Sequence, residues 1–340
     1  MLAQLGLVHL RQAHLADGGG GLRLFQRQRA RGQAQYPAAE RDRARGHEHH
    51  VRAAGGEVFG QTLETWEKIG IAISIGCIGG IGINTAHELG HKREENERWL
   101  SKIALAQSFY GHFYIEHNRG HHVRVATVED PASARLGETL YHFIPRSVLG
   151  GLRSAWRLEA ERLTRSGSSP WSLRNEVLSA WALSAAIFVG LNVWFGPVVA
   201  PWLIGQAVVG VCLLESVNYL EHYGLRRQRT AAGLYERVGP QHSWNSNTLL
   251  ANVFLFHLQR HSDHHSNPQR RYQTLRHADE APQLPHGYGT MLLLAWCTPL
   301  WRRTMDPRVL AHYGDLDSVP AVKIKVAEPG QSLDDDVARV

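Results

Sequence analysis

Cysteine is scarce in this chain. Its 340 residues hold only Cys77, Cys212 and Cys297, far apart and each in an apolar stretch. No C-x-x-C pair occurs, which argues against a disulfide framework, a zinc ribbon or a built-in iron–sulfur domain. The three read as packed, reduced thiols. Lysine is missing from residues 1–56, where nine Arg and four Asp plus Glu supply +5 of the formal net charge of +6. The remainder is near neutral, so a nucleic-acid partner has little support. That first stretch also lacks a continuous apolar core, which argues against a signal peptide. It lacks apolar periodicity from Gln26 to Arg52 and contains Gly18-Gly19-Gly20-Gly21. Residues 1–56 read as a disordered basic extension or a mis-set reading frame, and His47, His49 and His50 are left out of any site.

Charge is absent from two longer stretches. Ile69 to Ala86 (IGIAISIGCIGGIGINTA) carries none, and none lies between Glu176 and Glu215. The first is long enough for a short membrane helix. Its Gly79-Gly80-x-Gly82 resembles the small-residue packing of helices in lipid, whereas a phosphate loop would need a Lys and a preceding strand. The second divides at Gly196-Pro197 into Val177–Phe195 and Val198–Leu214, which predicts a membrane hairpin rather than two buried helices of a soluble protein. Trp99 to Ile115 is mostly apolar but follows His91 too closely for a second crossing and reads as an in-plane or re-entrant helix. Val123 to Asn175, with Pro131, Pro145 and a Ser-Gly-Ser-Ser-Pro break, reads as a polar surface segment. Met291–Leu300 reads as an interfacial patch, and residues 315–340 as a flexible tail.

Histidine is abundant where charge is not. Three clusters occur: His87-Glu88-Leu89-Gly90-His91, Glu116-His117-Asn118-Arg119-Gly120-His121-His122 and His261-Ser262-Asp263-His264-His265. Residues four apart on a helix share a face, so His117 and His121 are expected to point at one metal. A lone histidine usually has a bland role; three clusters at ligand spacing point to a metal centre. His222, where the hairpin returns, is a ninth candidate. The hairpin leaves and re-enters on one side, so all the clusters can meet at one edge of the bilayer. One zinc uses about four protein ligands, so this many imidazoles suggest two metals. Imidazole suits iron, copper and zinc alike. At a lipid edge, oxygen activation by iron is the chemistry such a site adds to a hydrocarbon. Glu88, Glu116, Asp130, Glu221 and Asp263 are candidates for orienting the rings. A rival reading is a membrane zinc protease, because His87 to His91 is literally H-E-x-x-H. It leaves the other clusters unexplained. An inactive metal-binding remnant is a further alternative.

Asn84 to Lys92, Glu116 to Arg135 (EHNRGHHVRVATVEDPASAR), Asn218 to Leu225 (NYLEHYGL), Leu258 to Pro268 (LQRHSDHHSNP) and Met305 to Gly314 (MDPRVLAHYG) closely resemble the bacterial membrane alkane 1-monooxygenases of the fatty acid desaturase and hydroxylase superfamily. The resemblance covers about residues 60–314, and NYLEHYGL separates alkane hydroxylases from desaturases. It implies an all-α, polytopic helical membrane protein of the bacterial inner membrane, with a histidine-rich di-iron site at the cytoplasmic ends of the helices. It implies O2-dependent terminal hydroxylation of n-alkanes, with electrons from rubredoxin and an NAD(P)H-dependent rubredoxin reductase; a fatty acyl desaturase is the alternative. The family's ligands for its two Fe fall on His87, His91, His117, His121, His122, His222, His261, His264 and His265. His112, His142, His242, His257 and His277 match no ligand position. Family members carry further membrane helices before the first histidine motif, where this chain has its Arg-rich stretch. The expected domain is therefore 57–314, shortened at its N-terminal side.

Overall fold

A computed structural model describes residues 63–314; the expectations for residues 1–56 and 315–340 lie outside the described residues. The described residues are helical, with two isolated β-bridges and no strand. In chain order the helices are α1 (Thr65–Gly90), α2 (Glu95–Ala106), α3 (Leu140–Arg165), α4 (Glu176–Phe195), α5 (Ala200–His222), α6 (Leu249–Phe254), α7 (His261–Ser266), α8 (Tyr288–Ala295) and α9 (Thr298–Tyr313). Between α2 and α3 a short helical passage contains a π-helical turn, Glu116–His121.

Among the described residues, three segments are long and apolar enough to cross a membrane: Thr65–Gly90, Glu176–Phe195 and Pro197–His222. Their apolar side chains turn outward as much as inward. Ile73, Ile78, Val189, Val193, Ile204 and Val208 are all exposed, as lipid-facing positions are. The uncharged stretches thus form the helices their composition predicts. The Asn175 side chain accepts from the Val177 N–H to start α4, and Gly196, at φ 89°, ends it in a conformation that favours glycine.

Small residues let α1 and α5 touch. A Cβ on Gly76 would lie 2.6 Å from Cβ of Val209, and one on Gly80 would lie 3.3 Å from Leu213. The pairing 76 with 209 and 80 with 213 makes the two helices parallel. Both therefore run toward the same end, where α1 delivers His87 and His91 and α5 delivers His222. The hairpin partner α4 starts at that end. There Arg119 of the π turn bonds Glu159 of α3 and, at 3.0 Å, Glu176 of α4. Glu159 is fully buried, and also accepts from Arg162 and from the Glu176 backbone N–H.

Three sequence expectations change. Val123–Asn175 is no mere surface segment: it contains the 26-residue α3, which buries Leu140, Phe143, Ser147, Gly151, Ala155 and Leu163 on one face. Thr139 caps the start of α3, and Pro145, the sixth residue of the helix, leaves the Tyr141 carbonyl without its N–H partner from that position. Tyr288, Met291 and Ala295 of α8 join the core with Phe143, Tyr219 and Trp301, so only the other face of the Met291–Leu300 patch is exposed. Cys77 and Cys297 are exposed rather than packed, although all three thiols are free; Cys77 lies on an outward face of α1, so its apolar surroundings in sequence do not bury it.

Two of the recognised stretches meet in space. The Tyr223 hydroxyl donates to Asp306 at 2.7 Å, and Gly224, at φ 71°, lies so close to Val309 that a Cβ would approach it to 2.8 Å. This contact holds the end of α5 against α9.

Candidate metal centre

The nine histidines converge from four segments. His87, His91, His117, His122 and His264 form one group, and His121, His222, His261 and His265 another; within each group the candidate ligand atoms lie within 4.8 Å of one another. In the first group the Nε2 atoms pair at 3.1 Å (His91–His117), 3.0 Å (His117–His122), 3.2 Å (His122–His264) and 2.9 Å (His264–His87). In the second, His261 Nε2 lies 3.1 Å from His222 Nε2 and 2.9 Å from His265 Nε2. Two imidazole nitrogens on one ion, each ~2.1 Å from it, would stand roughly 3.0–3.4 Å apart. The spacing fits a shared ion in each group.

The division between groups departs from the helical expectation. His117 and His121, four apart, go to different groups, while His117 and His122, five apart, share one. The cause is local: Glu116–His121 is π-helical, with an i→i+5 repeat that brings residues five apart into line. Such turns recur at functional sites. The ordinary α-helical pairs His87/His91 and His261/His265 do stay together, and His264 crosses to the other group.

Hydrogen bonds behind the rings fix which nitrogen faces inward. His121 Nδ1–H donates to Asp130 Oδ2 at 2.9 Å, which leaves Nε2 as the lone-pair nitrogen; that atom is buried and has no hydrogen-bond partner. His222 Nδ1 lies 3.3 Å from the His242 carbonyl, to which it donates. Burial opposes ionisation of Asp130, but His121 and Ser133 outweigh it and hold the carboxyl down to about 2. Glu221, also buried, places Oε2 3.2 Å from His261 Nε2 and accepts at Oε1 from the Tyr288 hydroxyl at 2.9 Å. Burial first, then repulsion from neighbouring imidazoles, holds His91, His117, His122, His261, His264 and His265 well below the usual histidine range. They are neutral near pH 7, the form that ligates.

The other three carboxylates serve elsewhere. Glu116 bonds Arg124 at 2.7 Å, Asp263 bonds Arg270 and the Arg276 N–H, and Glu88 bonds Lys92 at 2.7 Å and accepts from the Tyr272 N–H. Glu88 is thus ion-paired, and His87 and His91 share their group with three further imidazoles, which an H-E-x-x-H zinc site does not account for. Of the histidines outside the groups, His112 is buried against the Tyr110 ring and His242 bonds Glu236, while His142 is exposed. Two supports gave no sequence signal. Asn245 grips Ser262 twice, from Nδ2 to its hydroxyl and from its N–H to Oδ1, and so pins α7; Tyr288 holds Glu221. Both are single polar residues in mixed sequence.

Membrane-length helices that end in two sets of mostly buried imidazoles define a helical, membrane-type metal-site protein. A model of the fatty acid desaturase family matches residues 64–295, and the chain belongs to that family. It is similar to an alkane 1-monooxygenase of Acinetobacter baylyi (53% identical over 73% of this chain and 60% of that protein). It is also similar to an alkane 1-monooxygenase 1 of Alcanivorax borkumensis (47%, over 76% of this chain and 64% of that one) and to an alkane 1-monooxygenase of Pseudomonas putida (46%, over 76% and 65%). The matched stretch spans less than two thirds of these relatives' own length.

Proposed function

We propose that the chain is an O2-dependent n-alkane hydroxylase that forms 1-alkanols, with one iron in each histidine group. The observation that carries this reading is the gathering of nine imidazoles, most of them buried, into sets of five and four at the end of apolar helices. The relatives' names supply the substrate and reaction class. Bound iron would supply the activation of O2 and the attack on the terminal C–H bond.

The chain's own residues do the rest. The five-histidine set holds one ion and the four-histidine set the other. Asp130 and the His242 carbonyl keep His121 and His222 in the ligating tautomer. Phe113, stacked on His117 with centroids 4.9 Å apart, gives the site an apolar wall and keeps water from it. No side chain is assigned as a general base. Electrons arrive from rubredoxin, itself reduced by an NAD(P)H-dependent reductase, on the cytoplasmic side of the bacterial inner membrane.

The test is octane turnover by the iron-loaded protein under O2 with rubredoxin and its reductase. 1-Octanol is the expected product. A new double bond in a fatty acyl substrate would assign a desaturase instead, and peptide cleavage with a single zinc a protease.

A further inference from the structure

The π turn that sorts the rings is spanned by an ion pair. Glu116 opens the turn, and Arg124 stands just beyond its end. Arg124 Nη2 donates to Glu116 Oε1 and to the Ser154 hydroxyl of α3, each at 2.7 Å. Both charged side chains are mostly buried. Between them lies Gly120, buried too. A Cβ on Gly120 would strike Glu116 Oε2 and would lie 2.5 Å from Arg124 Nη2. Gly151 of α3 leaves the carboxylate side chain more room, since the place of its Cβ is 3.6 Å from Glu116 Cγ. Arg119, the other cation of the turn, bonds Glu159 and Glu176 and moors the turn to α3 and α4 without crossing it.

A π turn is rare, and no residue type from Glu116 to Arg124 forbids ordinary α-helix. Something in the fold must hold it. Eight residues of α-helix advance ~12 Å, so Glu116 and Arg124 meet more easily across the shorter π turn. A buried carboxylate needs its cation, which ties the burial of Glu116 to that geometry. Glycine at 120 lets the pair close over the backbone. We propose that the Glu116–Arg124 pair, closed over Gly120 and seated on Ser154, is the positioning clamp that holds this turn. The clamp thereby assigns His117 and His122 to one ion and His121 to the other. The proposal rests on the reading of the nine imidazoles as a two-ion site. Glu116 and Arg124 engage α3 and act on the rings through the backbone. Without the clamp, residues 116–121 relax to α-helix. His117 and His121 then share a face, and His122 turns out of the five-histidine set.

The experiment uses the full chain in detergent, loaded with Co2+ as a coloured probe that imidazole also binds. Ions per chain, retention against graded chelators and ligand-field absorption are compared among variants. In an ordinary helix Gly→Ala is stabilising. Here Gly120→Ala, which keeps both charges, should weaken retention of both ions roughly tenfold or more and alter the absorption. Glu116→Ala should do the same, and Glu116→Gln, which still accepts from Arg124, should recover most of the loss. Gly120→Ala combined with Glu116→Ala should be no worse than Glu116→Ala alone, because the added methyl then meets no carboxylate. Gly151→Ala is the control and should keep both ions. Unchanged retention and absorption in Gly120→Ala would overturn the proposal, as would losses that add in the double variant. One cobalt per unmodified chain would refute the two-ion reading and the clamp's role with it. Two cobalts with the expected losses, in a protein that makes no alkanol when iron-loaded, would uphold the clamp and refute the activity.

Discussion

His121 donates from Nδ1 to Asp130 Oδ2 across 2.9 Å, and both side chains are almost wholly buried. A carboxylate there fixes the ring's tautomer and raises its basicity toward an ion on Nε2. Asp130→Ala should therefore weaken retention of one ion about 10–100-fold and leave the other in place. Competition against a graded series of chelators checks this; simultaneous loss of both ions, or of neither, would not agree with it.

His112 should give the protein an acid sensitivity separate from its histidine clusters. Burial lowers its pKa from 6.5 to about 4, and neither ring nitrogen has a hydrogen-bond partner among the described residues. The unfolded chain binds a proton here below pH 6.5, whereas the folded chain does not until about pH 4. The stability held above pH 6.5 is thus lost as pH falls through that window, by up to about 3 kcal/mol. His112→Phe should remove this share of the pH dependence, read as a shallower fall in melting temperature between pH 6.5 and 4. An unchanged slope would mean that the ring does not stay neutral.

Glu159 is fully buried and shared by Arg119, Arg162 and the Glu176 N–H. Glu159→Ala leaves the Glu176 N–H without its acceptor, while the partly exposed Arg119 keeps Glu176 and Arg162 keeps the Arg174 carbonyl, and should cost about 1–3 kcal/mol. Because Arg119 lies within the π turn, the same variant should also loosen the register of His117 and His121. Thermal unfolding and ion retention, measured together, test both consequences.

Gly76 has no room for a side chain against Val209 and the Gln206 carbonyl. Gly76→Leu should force α1 from α5 and destabilise the protein by at least about 1–3 kcal/mol. Gly70, with nothing near the place of its Cβ, is the control: Gly70→Leu should leave the melting temperature in detergent little changed.

The membrane helices were legible because the uncharged runs between charged residues are long, and the metal centre because histidine repeats in clusters. The allotment of rings was not legible. An α-helical repeat pairs His117 with His121, and nothing in Glu116-His117-Asn118-Arg119-Gly120-His121 announces a π turn. Nor was α3, whose buried face is broken by small residues and serine between arginines on the outside. Nearness in sequence also misled for carboxylates. Glu88, Glu116 and Asp263 turn to cations, while Asp130, nine residues from His121, and Glu221, forty from His261, reach rings by tertiary folding.

The allocation of the rings is tested most directly by counting iron. The purified, iron-loaded protein should carry two ions per chain, and the His117→Ala/His122→Ala double variant and His121→Ala, which each leave three imidazoles in one set, should each retain one, with different Mössbauer signatures because different groups survive. One ion in the unmodified protein, or the same residual signature in both variants, would contradict the division into sets of five and four.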